Sequence, residues 1–136
     1  MTVRAHGQLL EQLTQTLGER IVVLDGAMGT MIQSHELGED TFRGERFQNH
    51  HVDLRGNNDV LNLTCPNLIE EIHREFLLAG ADIIQTNTFN STSIAQFDYG
   101  LDSGVYELNQ SGAAIARRVA DEVAIETNRP RWVAGV

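Results

Sequence analysis

Three short apolar runs set the limits on what this chain can fold into: Ile21-Val22-Val23-Leu24, Asp82-Ile83-Ile84-Gln85-Thr86 and Trp132-Val133-Ala134-Gly135-Val136. Each is too short for a helix and rich in β-branched or aromatic residues, so each is expected as a strand. The first, nearly continuous in apolar residues, reads as a strand buried on both faces, the habit of parallel sheets. Helical patterns fill the intervals. Leu10, Leu13 and Leu17 form a stripe over residues 8–17, and Gly18 stands where a left-handed cap is wanted. Pro66 suits the first turn of a second helix, with Glu70 and Glu71 early in it. Ile69, Ile72, Phe76 and Ala79 make its buried stripe, and Gly80 ends it.

Asn90 or Ser91 is expected to cap a short helix that Gly100 closes. A longer helix from about Ser103 to Glu126 carries Leu108, Ile115, Val119 and Val123 on one face. Gly112, Ala113, Ala116 and Ala120 beside them permit close approach to a sheet. Residues 26–65 are broken by glycines and by Asn57-Asn58-Asp59, so a long connection with short helical turns is expected. Val60-Leu61-Asn62-Leu63 reads as a short extended piece within it.

Strands that alternate with helices imply right-handed parallel crossovers, hence a doubly wound sheet or part of a β/α barrel. Length bears on the choice. A complete (β/α)8 TIM barrel takes at least roughly 200 residues and typically ~250, against 136 here. The last run also ends without a covering helix. The expectation at this point is an α/β fold of three parallel strands with their helices, either a doubly wound sheet or a truncated stretch of barrel, with residues 1–136 forming one incomplete domain.

Acidic residues outnumber basic ones 19 to 10, for a formal charge of −9. Lysine is absent, and the arginines are interleaved with acids: Arg43, Arg46 and Arg55 with Glu45 and Asp53, and Arg117-Arg118 beside Asp121 and Glu122. No nucleic-acid partner and no membrane partner are expected on that balance. One cysteine, Cys65, allows no intrachain disulfide. The segment MTVRAHGQLLEQL lacks the apolar core of a signal peptide, and no run approaches a membrane span. A cytoplasmic location is expected.

Chemistry concentrates at two strand ends. Asp25 closes the first strand, at the edge where β/α barrels keep their sites. Gly26 and Gly29 let the backbone bend and a ligand approach its amides. A carboxylate there can hold an ammonium group while backbone N–H groups hold a carboxylate, a pairing suited to an amino acid. The same residues also read as a plain Asp-Gly turn. The pattern is neither the dinucleotide fingerprint nor a P-loop. Gln85-Thr86-Asn87-Thr88-Phe89-Asn90 is the second candidate, able to orient a polar ligand beside Asp25, or simply to supply turn and cap chemistry.

Metal binding by this chain is not expected, because zinc sites of the thiolate type need several Cys or His. His50 and His51 are adjacent and should diverge in an extended segment; His6 and His35 are isolated, and His73 borders an apolar stripe. Cys65 lacks a placeable base and reads as a buried thiol.

The run Arg20-Ile21-Val22-Val23-Leu24-Asp25-Gly26-Ala27-Met28-Gly29-Thr30-Met31 resembles the opening of homocysteine S-methyltransferase domains. Phe42-Arg43-Gly44-Glu45-Arg46-Phe47 and Gly56-Asn57-Asn58-Asp59-Val60-Leu61 narrow the likeness to the cobalamin-dependent methionine synthase type. Residues 79–92 and 131–136 fit the same family, so the likeness spans about residues 8–136. It implies a (β/α)8 TIM barrel, of which this chain would hold the first three parallel strands, truncated; the barrel binds homocysteine and, in the full enzyme, a zinc ion held by three cysteines in later strands. That zinc stabilises the substrate thiolate, which takes a methyl group carried by cobalamin and supplied by methyltetrahydrofolate.

Carried onto this sequence, the resemblance implies that Asp25 meets the substrate amino group and that Gly26, Ala27, Met28 and Gly29 lie near its carboxylate. Thr86, Asn87 and Thr88 line the same pocket. No catalytic residue and no metal ligand are expected here, and Cys65 does not stand in for the zinc cysteines. Zinc and methylcobalamin, with methyltetrahydrofolate, belong to parts not contained in these residues, so the isolated chain is expected to be inactive. The alternatives are a homocysteine methyltransferase using betaine or S-methylmethionine, and a small non-enzymatic α/β binding module.

Overall fold

The computed structural model describes residues 3–136, with side chains from Gly7 onward. Met1, Thr2 and the His6 side chain, which belong to the N-terminal reading above, lie outside the described residues. In chain order the elements are α1 (Val3–Glu19), α2 (Met28–Ser34), α3 (Glu39–Arg43), α4 (Leu61–Thr64) and α5 (Pro66–Ala79), followed by β1 (Ile83–Gln85), α6 (Ser93–Phe97), α7 (Val105–Thr127) and β2 (Trp132–Ala134). Single 3-10 turns at Asn58–Val60 and Asp102–Gly104 precede α4 and α7. The result is a helix-rich α/β fold.

Two helices carry the packing. Pro66 occupies the first turn of α5, where a missing N–H leaves no bond unmade, and Gly80 ends the helix with φ 119°. Its buried face is Leu68, Ile69, Ile72, His73 and Leu77. Phe76 is only half-buried and Ala79 is exposed, so the expected stripe is displaced toward Leu77. On α7, Leu108, Ile115, Val119 and Val123 are buried as expected, with Gly112, Ala116 and Ala120 among them, whereas Ala113 faces solvent. Leu77, Ile84, Ala116, Val119, Ala120 and Val123 pack as one cluster. The small alanines bring α7 close to the sheet, and the apolar area removed from water holds it there.

β1 and β2 pair in parallel, Ile83 with Trp132, Ile84 with Val133 and Gln85 with Ala134. The first apolar run is less regular than expected. Leu24 makes one parallel bridge to Ile83, supported by bonds from Asp82 N–H and Ile83 N–H to the Val23 carbonyl. Only one edge of this run is paired among the described residues, so Ile21 is 86% exposed, and Val23 and Leu24 are half exposed. Two-sided burial is not realised.

Four further expectations change. Helix α1 runs through Gly18 to Glu19, and its half-buried positions are Leu9, Leu13 and Thr16, leaving Leu10 and Leu17 exposed. The Trp132 indole N–H, which donates to the Leu9 carbonyl at 3.3 Å, fixes that face toward β2. Val60–Leu63 is helical, because Val60 and Leu61 turn into a core with Ile32, Phe42, Leu54 and Ile69. Thr92 caps α6 by accepting from the Ala95 N–H; the Ser91 hydroxyl is engaged with Asp59 instead, which Asn90 meets through its backbone N–H. His50 and His51 do not diverge: the loop turns there, and their rings lie 4.8 Å apart.

Candidate functional site

Parallel pairing brings the ends of two neighbouring strand segments to one side. The Asp25 N–H donates to the Ile83 carbonyl at 2.9 Å, continuing the bridge made by Leu24. The Asp25 carboxylate then accepts from the Gln85 backbone N–H at 3.1 Å to each oxygen, and from the Gln85 side-chain amide at 3.4 Å. Burial raises the Asp25 carboxyl above the ordinary aspartate value, and the Gln85 bonds oppose that rise.

Beyond Asp25 the chain bends sharply. Ala27 adopts φ 49°, a left-handed conformation uncommon for a residue with a Cβ, and turns the backbone into α2. The backbone N–H groups of Gly26, Ala27, Met28 and Gly29 make no hydrogen bond among the described residues. They border a cleft of about 290 Å³, roughly the volume of ten waters in the liquid. That is room for an amino acid.

Asp25, Gly26, Ala27, Met28 and Gly29 line this cleft on one side, with Gln85, Thr86 and Asn87 beside them. Thr88 does not line it. Its hydroxyl lies 2.7 Å from that of Thr86 and donates to the Val136 carbonyl, and its methyl group faces Gly112. Thr88 is therefore turned into packed interior.

The remaining wall comes from the turn before α4. The Asp59 carboxylate accepts from the Asn90 N–H at 2.8 Å and the Ser91 hydroxyl at 2.7 Å. Burial raises its carboxyl, and those two bonds work against the rise. The Asn62 amide donates to the Asn87 carbonyl, and the Asn87 amide donates to the Asn58 carbonyl. Asn58 and Asp59 thus line the cleft together with Phe89 and Asn90. In the sequence, residues 57–59 read as a loop break. The missed signal was a polar triplet running straight into Val60-Leu61, which pulls it into the core.

No group of three His, Cys, Asp or Glu side chains among the described residues could hold a metal ion. Cys65 is half-buried against the core beside α5 and does not line the cleft.

The profile of the homocysteine S-methyltransferase family matches residues 22–136. The chain belongs to that family. The matched span contains the whole cleft, from Asp25 to Val136. The fold of this homocysteine S-methyltransferase domain is also similar to the crystal structure of the homocysteine methyltransferase MmuM from Escherichia coli in its metallated form. The TM-score is 0.69 at 22% identity, covering 90% of this chain and 40% of that one. At that identity the likeness speaks for the fold, and the chain spans well under half the length of the protein it matches. Among the described residues, no helix is long and apolar enough to cross a membrane.

Proposed function

We propose that the cleft beside Asp25 receives the amino-acid end of homocysteine, in a methyltransferase of the cobalamin-dependent methionine synthase type. On this reading residues 1–136 are the opening part of the homocysteine-binding barrel. The observation that carries it is one carboxylate placed next to four free backbone N–H groups in an amino-acid-sized cleft. Asp25, its oxygens oriented by Gln85, binds the substrate ammonium group. The N–H groups of Gly26 to Gly29 receive the substrate carboxylate. Thr86 and Asn87 border the bound molecule, while Thr88 holds Thr86 from behind.

This division leaves the substrate thiol to the open side of the cleft. Zinc, which the family resemblance implies for that thiol, finds no ligand set among these residues: Cys65 is the chain's one cysteine and packs against the core. Methyl transfer is accordingly assigned to no residue of this chain, and zinc, methylcobalamin and methyltetrahydrofolate to none of its side chains. The 42–61 stretch supports the methionine synthase type through its sequence likeness.

Calorimetric titration with L-homocysteine tests the reading, with the analogue lacking the amino group as comparator. Homocysteine should bind more tightly, and Asp25→Asn should abolish the preference. Equal affinity for the two compounds in the unaltered chain would remove Asp25 from the role given to it.

A further inference from the structure

The chain carries a formal charge of −9 with only ten basic residues, yet three of its arginines meet around one opening. This second cleft, about 490 Å³, lies between α1 and the turn from α7 into β2. Arg117, Arg129 and Arg131 line it with Asp121, Gln12 and Asn128, and it shares no residue with the Asp25 cleft. Asp121, Glu122 and Glu126 separate Arg117 in sequence from Arg129 and Arg131, which conceals the convergence.

The donors in this cleft are incompletely matched. Arg117 donates to the Asp121 carboxylate at 2.7 Å and to the Arg131 carbonyl at 3.3 Å. Arg131, with a side chain 3% exposed, donates to the Ala81 carbonyl at 3.1 Å and reaches the Thr127 hydroxyl at 3.5 Å. The Nε–H groups of both arginines are buried and have no acceptor among the described residues. A buried donor on a charged group that lacks an acceptor is costly, so two guanidinium groups are held here with part of their positive edge uncompensated. Arg129 is exposed and joins no salt bridge among the described residues.

The local charge selects the ligand class. Asp121 offsets one of the three guanidinium groups. Asp82 lies 3.6 Å from Arg131 but is already held by two bonds from Arg20. Two positive charges therefore remain. Burial, with repulsion from Arg129 and Arg20, also pulls the Arg131 guanidinium below its ordinary value despite Asp82, a tension that an anion relieves. We propose that this cleft binds a phosphate-type dianion, held by Arg117, Arg129 and Arg131. Guanidinium groups suit such oxyanions because their N–H donors lie in a fixed plane.

The probe is inorganic phosphate, titrated into the chain at constant ionic strength and mildly alkaline pH, where the dianion predominates. Saturable single-site binding is expected. Arg129→Gln and Arg117→Gln should each weaken it by about tenfold or more, the effect of one charge-assisted hydrogen bond. Arg55→Gln, which removes an exposed charge elsewhere, should leave it unchanged. A phosphomonoester in place of phosphate separates a phosphorylated metabolite from the free ion, and tighter binding of either assigns the source. Acetate should not compete at equal concentration. Unsaturable binding, equal weakening by Arg55→Gln, or displacement by acetate overturns the assignment. Should Arg117→Gln disturb folding, the exposed Arg129 decides the matter alone.

Discussion

The carboxylate of Asp25 and the backbone N–H of Gln85 face each other across two adjacent strand segments, 3.1 Å from nitrogen to either oxygen. This contact fixes where the carboxylate points. It also joins the loop that supplies free N–H groups to the strand end that supplies polar side chains.

Asp25→Asn separates binding from stability. Burial raises the Asp25 carboxyl in the folded chain, so folding disfavours its ionised form, and the stability it confers in acid is lost as pH rises through the folded value. At neutral pH the asparagine variant should thus be as stable as the parent or more so, since one oxygen still accepts from Gln85. Its affinity for homocysteine should fall on the order of tenfold to a hundredfold, as one charge-assisted contact is lost. Thermal unfolding beside calorimetry checks both halves. A variant that binds normally, or unfolds far earlier, contradicts the account.

The opposite sign holds for Asp82. Arg20 donates to its two oxygens at 2.8 and 2.7 Å, and this pairing holds its carboxyl below the ordinary range despite burial. The stabilisation is present above the unfolded-state value and lost as pH falls through the folded one. Asp82→Asn should cost about 2 kcal/mol at neutral pH, less than a fully buried pair because Arg20 is partly exposed. Urea unfolding at decreasing pH should show the gap between variant and parent closing in acid. A constant gap would mean that packing, and not the ion pair, carries the effect.

How much of this could be read from the sequence depends on range. Local chemistry was legible: Pro66 and Gly80 bracket α5, and Leu108, Ile115, Val119 and Val123 face the core of α7. That the end of β1 lies beside Asp25 was legible from parallel crossovers. The wall of the cleft did not, because Asp59 finds Asn90 and Ser91 across some thirty residues of chain, and no periodicity records such a contact. Thr88 was misplaced for a related reason. Alternation along a strand assigns a face, but the tight turn after β1 and the bare Gly112 opposite draw this side chain inward.

At Gly112, α7 packs directly against Thr88 and Asn62. A Cβ there would lie 2.6 Å from the Thr88 methyl carbon and 2.8 Å from the Asn62 amide nitrogen. Neither neighbour can retreat freely, since Asn62 donates to the Asn87 carbonyl and Thr88 is bonded on two sides. Gly112→Ala should gain up to about 1 kcal/mol in helix propensity and lose roughly 1–3 kcal/mol by overpacking. Net destabilisation is expected, together with amide chemical-shift changes at Asn62, Thr86 and Asn87. A stabilised variant with unmoved resonances would show that α7 slides aside without strain.

His73 sets a separate response to acid. It is fully buried on α5, neither ring nitrogen has a hydrogen-bond partner among the described residues, and burial lowers its value from 6.5 to about 4. Between those two values the unfolded chain takes up a proton that the folded chain refuses. Stability therefore falls as pH drops from 6.5 to about 4 and changes no further on this account below that. The full loss is on the order of 3 kcal/mol. His73→Leu keeps a similar volume without polar atoms, so it should flatten this part of the pH profile and leave the variant more stable than the parent in mild acid. Parallel profiles for the two proteins would show that the imidazole reaches solvent, or a partner, once protonated. Asp82 weakens the fold over a lower range, below the ordinary aspartate value, so a scan across both ranges distinguishes the histidine from the ion pair within one titration.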